Sequence, residues 1–222
     1  VIPWVQLDTA EIPAGGQLKL MRRGAEYSIM SGSIELMNSR LSGSEKALAS
    51  LTCARIATRP HPHILIGGLG MGFTLRAALT DLPAHAKITV AELVPAVVAW
   101  ARGPMAHLHG DSLTDPRVTI REGDVAEAIR AAPAAYDAIL LDVDNGPSGL
   151  GRDANDSLYA AKGLAEARRA LKPGGLLAVW SAGPDADFTK RLQSAGYQAE
   201  EHQVRATGGR RGARHVIWIA TI

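Results

Sequence analysis

Cysteine is nearly missing from this chain: Cys53 is the single thiol in 222 residues. An intramolecular disulfide and a cysteine-built zinc cluster are excluded, and a reducing compartment is compatible. Aromatic residues are also scarce, at 5%, which disfavours a base-stacking surface for nucleic acid. Neither sign of charge dominates. Lysine and arginine total 24 against 22 acids, a formal charge of +2, so no strong pull toward nucleic acid or a membrane surface is expected. No apolar run approaches the ~20 residues of a membrane span. No basic, then apolar, then small-residue leader opens the sequence, and the expected location is the cytoplasm. What remains is ordinary globular material: 46% hydrophobic and 21% charged residues. The length suits one α/β domain with a small appendage, or two small domains.

Residues 1–40 read as a β-hairpin domain. Short, partly alternating runs around Trp4–Leu7, Gln17–Met21, Tyr27–Met30 and Ile34–Met37 are separated by Gly15-Gly16, Gly24 and Gly32, the signal of antiparallel hairpins. Residues 41–62 read as a connecting helix over 45–58. Ser42 or Ser44 is its cap, and Glu45 completes a capping box with Ser42. From 63 to 222 strands alternate with helices. Strands are expected at 63–66, 87–91, 117–120, 136–141 and 176–180, with two more near 197–205 and 214–221. Helices are expected at 73–80, 95–102, 124–131, 156–171 and 186–195. Lys172-Pro173-Gly174-Gly175 reads as the stop signal of the fourth. This rhythm predicts a Rossmann-like, seven-stranded, doubly wound sheet.

The chemistry concentrates at the carboxyl ends of the predicted strands, where such sheets bind ligands. Gly67, Gly68, Gly70 and Gly72 lie in the loop after the first strand of this region, suited to close ligand approach and to exposing helix N-terminal amides. Glu92 ends the next strand, and its carboxylate can accept from ribose hydroxyls. Leu93 follows it. Asp124 and Val125 follow the third strand. Asp124 either reads an adenine amino group or caps the next helix, and the two roles are compatible. Asp142 and Asp144 follow the fourth strand. Taken alone, they read as plain loop acids beside the Asn145-Gly146-Pro147 turn. His61, His63, His107 and His109 are read as solvated loop histidines, with no metal. Arg205, Arg210, Arg211 and Arg214 are read as a solvated hairpin tip. Trp100, Trp180 and Trp218 are assigned to the core, Cys53 to a buried helix face, and Trp4 to a subunit interface.

The segments "ILIGGLGMGFTLRAAL", "ITVAELVPAVV", "DPRVTIREGDV", "YDAILLDVDNGPSG" and "LYAAKGLAEARRALKPGGLLAVW" resemble the spermidine synthase family of aminopropyltransferases, within the S-adenosylmethionine-dependent methyltransferase fold. The resemblance runs from about residue 25 to 220. It implies a transferase that binds S-adenosylmethionine, its decarboxylated form or the methylthioadenosine product, and that alkylates a small-molecule amine. It also implies a homodimer. Asp142 and Asp144 become the expected catalytic carboxylates. Glu35, Glu45 and Tyr159 become the expected substrate pocket. The departures are specific. The family's glycine box reads GGGDGG, and Gly70 stands at its Asp. Its strand-four loop reads DSSDP or DSTDP, and here Asn145 and Gly146 replace the last two residues. Glu35 stands where the family has Gln. These changes argue against ordinary spermidine synthesis. Two other readings stay open: a small-molecule methyltransferase, and a non-catalytic nucleoside-binding module.

Overall fold

The computed structural model of the chain describes residues 2–13, 15–143, 146–147, 157–209 and 212–222. Four strands come first: β1 Val5–Glu11, β2 Gln17–Arg23, β3 Glu26–Ser31 and β4 Ile34–Asn38. They pair antiparallel in sequence order. Alternation decides which face is dry. Leu18 and Leu20 of β2 and Ile29 of β3 are buried on one side, as period-two patterning requires. β4 carries a bulge. Ile29 pairs with Met37 and Met30 with Glu35, so Leu36 is the extra residue.

Helix α1, Gly43–Ile56, leads into the larger sheet. Ser42 makes no side-chain cap bond, so the expected Ser42–Glu45 capping box does not form. The Glu45 carboxylate accepts instead from the Ser44 hydroxyl, at 2.8 Å. Cys53 is fully buried on this helix.

The larger sheet follows as β5 His63–Gly67, α2 Phe73–Asp81, β6 Lys87–Glu92, α3 Pro95–Arg102, the short α4 Ala106–His109, a 3-10 turn Gly110–Leu113, β7 Val118–Glu122, α5 Val125–Arg130, β8 Tyr136–Leu141, α6 Ala161–Ala170, β9 Leu171–Ser181, α7 Ala186–Ser194, β10 Gln198–Arg205 and β11 Arg214–Thr221. Its order is β10-β11-β9-β8-β5-β6-β7. All neighbours from β9 to β7 are parallel, and β11 is antiparallel to both β9 and β10. Every residue of β8 is buried, which needs cover on both faces. One face packs Ile139, Leu141, Phe188 and Trp218. The other packs Ile64, Ile66, Leu48, Cys53 and Leu75. Helix caps follow from local residues. Asp124 accepts from Ala126 N–H, Asp185 accepts from Asp187 and Phe188 N–H, and Pro95 opens α3.

The Lys-Pro-Gly-Gly segment does more than stop a helix. α6 ends at Ala170, and Lys172–Gly175 lie within β9. Lys172 Nζ reaches Asp137 Oδ2 at 2.6 Å, and Arg59 Nη1 reaches Asp137 Oδ1 at 3.0 Å. Burial pushes the Asp137 carboxyl up. Lys172, the His63 amide and Arg59 more than offset that, so it titrates below the usual range.

The two sheets share a third apolar cluster. Leu18, Leu20, Tyr27 and Ile29 meet Met71, Val94, Val97, Trp100 and Met105. The Trp100 indole N–H donates to Asp8 Oδ2 at 2.7 Å and ties α3 to β1. Among the described residues, no helix is long and apolar enough to cross a membrane.

Candidate active site

A cleft opens where the small sheet lies against the carboxyl ends of β5, β6 and β8. Gly68, Gly70, Gly72, Glu92, Leu93, Asp124, Val125, Glu45 and Asp142 all line it. These nine of the expected site residues therefore converge, from five separate stretches of chain.

The glycine loop is shaped by two close approaches. Gly68 has φ +90, and a Cβ there would sit 2.4 Å from the Asp142 carbonyl oxygen. Gly72 has φ +77, and a Cβ there would sit 2.4 Å from His109 Nδ1. No L side chain fits either position without displacement. Gly67 closes β5 and does not reach the cleft. It packs against Val125, whose Cγ2 is 3.0 Å from its would-be Cβ. His109 is buried, not solvated, and neither ring nitrogen has a partner among the described residues. Burial pushes its pKa down to about 4, so it packs as a neutral ring beneath the loop. His63 is half-buried on β5, its Nε2 3.1 Å from Thr89 Oγ1.

Glu92 is held rigidly. Its Oε2 accepts from Leu69 N–H and its Oε1 from Val94 N–H, both at 2.9 Å. Burial raises its pKa, and the amide donors act against that rise. The carboxylate thus faces the cleft with fixed orientation and spare lone pairs for hydroxyl donors. Asp124 commits Oδ1 to Ala126 N–H at 2.8 Å while lining the same cleft. Leu69, Leu93 and Val125 add apolar surface to the same cleft.

Asp142 and Glu45 form a second acidic pair in the cleft. Thr74 Oγ1–H donates to Asp142 Oδ2 at 2.6 Å. Burial pushes the Asp142 carboxyl up to about 7, with further push from the Glu45 charge. Asp142 has one part open to the cleft and protein on its other sides. Glu45 is also raised, mainly by burial. Two carboxylates that resist ionisation together make a site that gains by accepting a cation or a proton.

Two expected pocket residues fall elsewhere. Glu35 lies in a separate groove with Trp4, Arg23, Ser28 and Arg40. Its carboxylate accepts from Arg40 Nη2 at 2.9–3.0 Å and from Ser28 Oγ at 2.7 Å. The bulge at Leu36 is the reason: Leu36 and Met37 turn to the cleft, and Glu35 turns away. Tyr159 is buried against Phe188, and its hydroxyl donates to the Val143 carbonyl at 3.3 Å. Asp144 and Asn145 lie outside the described residues, as do Arg210 and Arg211.

Other lining residues were not expected. Trp180 packs against the core as expected and also stands at the cleft, with its indole N–H buried and unpartnered among the described residues. Ile12, Leu18, Leu36 and Met37 form the wall from the small sheet. Met37 Sδ lies 3.0 Å from the would-be Cβ of Gly70. A thioether therefore fills the space that a side chain at position 70 would enter. Thr74, one residue into α2, was also missed. A hydroxyl so close behind a glycine loop was the available signal.

The Spermine/spermidine synthase domain matches residues 51–187. The polyamine aminopropyltransferase of Mycobacterium tuberculosis is 34% identical over 151 residues, covering 64% of this chain and 28% of that protein. Putrescine N-methyltransferase 4 of Nicotiana tabacum is 37% identical over 120 residues, covering 53% and 29%. The chain thus spans less than a third of these relatives. The crystal structure of spermidine synthase from Thermotoga maritima superposes with TM-score 0.76 at 17% identity, over 97% of this chain and 72% of that one. A precorrin-6y methyltransferase from Geobacter metallireducens superposes with TM-score 0.55 over 78% and 86%. With its domain matched over more than half of its length, the chain belongs to the spermine/spermidine synthase domain family.

Proposed function

We propose that the chain is a transferase that moves an alkyl group from S-adenosylmethionine, or its decarboxylated form, to a small-molecule amine. The observation that carries this reading is the convergence of four acidic side chains on one cleft. Glu92 and Asp124 line it with apolar residues suited to a nucleoside, and Glu45 and Asp142, whose charges act on each other, line it where a cation would be held.

The fit is physical. Gly68 and Gly72 keep the loop free of side chains, so a ligand can approach the backbone. Glu92 would accept from ribose hydroxyls, and Asp124 from an adenine amino group. The donor supplies an electrophilic carbon on a sulfonium. The protein's part is to position an amine in line with that carbon and to leave it unprotonated. Glu45 and Asp142 attract the ammonium form by charge, and either can take its proton. Thr74 fixes the Asp142 carboxylate.

Methyl transfer is favoured over aminopropyl transfer by one feature. Gly70 with Met37 puts apolar bulk, not a carboxylate, beside the loop, so nothing there holds a donor ammonium or repels a donor carboxylate. A homodimer is part of the proposal. Ile2, Val5 and Ile34, at 63%, 50% and 52% exposure, are the large apolar side chains offered for it. A cytoplasmic site of action also remains a proposal.

Calorimetric titration with S-adenosylmethionine, decarboxylated S-adenosylmethionine and methylthioadenosine tests the reading. Tighter binding of the carboxylated donor supports methyl transfer, and tighter binding of the decarboxylated one supports aminopropyl transfer. Binding of methylthioadenosine without transfer from either donor to putrescine leaves only a nucleoside-binding module. No heat from any of the three refutes the nucleoside site.

A further inference from the structure

Three polar side chains form a continuous line from the acidic end of the cleft to the β10–β11 hairpin. Glu45 lines the cleft. Its Oε2 is 2.8 Å from Ser44 Oγ. Ser44 Oγ is 2.9 Å from His215 Nδ1 on β11. Ser44 is fully buried, so its hydroxyl lies between these two groups with no route to bulk water. His215 is half-buried at the edge of the fold.

The contact is built, because the chain brings together residues 171 positions apart. Gly43 N–H donates to the Ala206 carbonyl at 2.8 Å. A Cβ on Gly43 would overlap the Gly208 backbone nitrogen. The first turn of α1 is thereby pressed onto the hairpin, with Ser44 held between Glu45 and His215. Trp180 packs edge-on against His215 at 4.8 Å and also lines the cleft. His215 itself does not line the cleft, so the imidazole communicates with the site through Ser44.

We propose that Glu45, Ser44 and His215 are a proton relay that carries the acceptor's proton from the cleft to solvent, a role that rests on the transfer reading above. An ammonium must lose one proton before its nitrogen can attack. That proton passes to the Glu45 carboxylate. While Glu45 is ionised, Ser44 donates to it and His215 Nδ1–H donates to Ser44; once Glu45 is protonated, the imidazole exchanges to its Nε2–H form, Glu45 O–H donates to Ser44 Oγ, and the Ser44 hydrogen passes to His215 Nδ1, which restores the resting arrangement. The hydrogen on His215 Nε2 leaves to water. In the cleft, the freed nitrogen bonds to the transferred carbon as the carbon–sulfur bond breaks, and the electron pair stays on sulfur. One proton reaches solvent per transfer, and no oxidant or reductant is needed. His215 acts through Ser44 and Glu45, so it is a positioning and relay residue.

The charges around the line are few. α1 contributes Glu45 and Lys46, and the end of β8 contributes Asp142. The hairpin contributes Arg205 and Arg214, which pair in register beside His215. Burial lowers the His215 pKa and raises that of Glu45, which brings the two ends of the line toward each other.

The test has two arms on the full chain. In the first, ring carbons of labelled histidine are followed by NMR against pH. Glu45→Gln should move the His215 titration down by about half a pH unit or more, because a neighbouring anion is lost. Ser44→Ala should do the same, and adding Glu45→Gln to it should change nothing further. A His215 titration indifferent to both variants overturns the relay alone. In the second arm, putrescine is the amine, with the donor that binds. His215→Phe keeps a ring against Trp180 but carries no nitrogen. It should lower kcat about tenfold or more with little change in KM, and imidazole should restore part of the loss in His215→Ala. His215→Phe with an unaltered kcat and pH profile overturns the relay. A wild-type chain that binds neither donor overturns the transfer reading and the relay with it, a result distinct from the other two.

Discussion

Asp142→Asn should make the protein more stable at alkaline pH and leave it nearly unchanged in acid. The side chain titrates near 7 in the fold, against 3.8 when free. Below about pH 4 the carboxyl is neutral in both folded and unfolded chains and costs nothing. Between these two values the unfolded chain releases the proton and the folded chain keeps it, so the wild type loses stability as pH rises. Above about 7 the loss is complete. At 1.36 kcal/mol per tenfold, the full loss is about 4 kcal/mol. Asparagine removes that cost and keeps a carbonyl for the Thr74 hydroxyl. The neutral hydrogen bond is weaker by about 1 kcal/mol than the charged one. The net gain is then about 2–3 kcal/mol at pH ~8 and near zero at pH ~4.5. Urea denaturation of both chains at these two pH values measures it, with equal slopes as the control. Because Glu45 contributes to the shift, Glu45→Gln should capture part of the same gain, and the double variant should gain less than the sum. A stability difference that stays flat with pH would refute the buried-charge argument. The same substitution should abolish transfer, since a stabilised site that no longer holds charge has lost its chemistry.

Glu92→Gln should weaken nucleoside binding by about 1–3 kcal/mol, read by calorimetry with methylthioadenosine, and an unchanged affinity would remove Glu92 from the site. Gly72→Ala should cost about 2–3 kcal/mol of stability, since its Cβ meets His109 and its φ is left-handed; a melting temperature equal to wild type would contradict the close packing. Asp137→Asn should destabilise by about 2–3 kcal/mol at neutral pH, because Lys172 and Arg59 lose a buried partner but can reach water. Since the folded pKa of Asp137 is depressed, this contribution is present above the free carboxyl pKa and fades as pH falls through the folded value, which denaturation at several acidic pH values would show. Gly70→Asp combined with Met37→Ala should shift donor preference toward decarboxylated S-adenosylmethionine, and equal affinities for the two donors would sink the role given to that corner.

The sheet was legible because its signals are local and redundant. Ile64-Leu65-Ile66 before a glycine loop, and Ile139-Leu140-Leu141 before Asp142, mark buried parallel strands on residue type alone. The acids at strand ends were placed by the same logic, since the carboxyl edge of such a sheet gathers whatever follows each strand. What failed depended on register or on distant contacts. Glu35 was misplaced because one bulge at Leu36 reverses the facing of the strand. Ser42 and Glu45 matched a capping box by spacing, but Glu45 gains more from Ser44 and the cleft than from an N-terminal amide. Tyr159 satisfied a motif position while its ring found Phe188. Nothing local to His215 or Trp180 announces a cleft that is completed by residues from the other end of the chain.

The place of β11 bears on how the molecule is made. It follows β10 in sequence, yet it lies inside the sheet, between β9 and β10. Among the described strands, β10 has no partner but β11. During synthesis, β5 to β9 can pair as they emerge, while β10 must wait unpaired until residues 206–221 have followed it. Trp218, fully buried on β11, then closes the apolar layer over α7. His215 arrives on the same strand, so the line through Ser44 to Glu45 cannot exist in any nascent chain that has merely folded its glycine loop and strand-end acids. The glycine loop and the strand-end acids precede β11, and the Ser44–His215 contact waits for it.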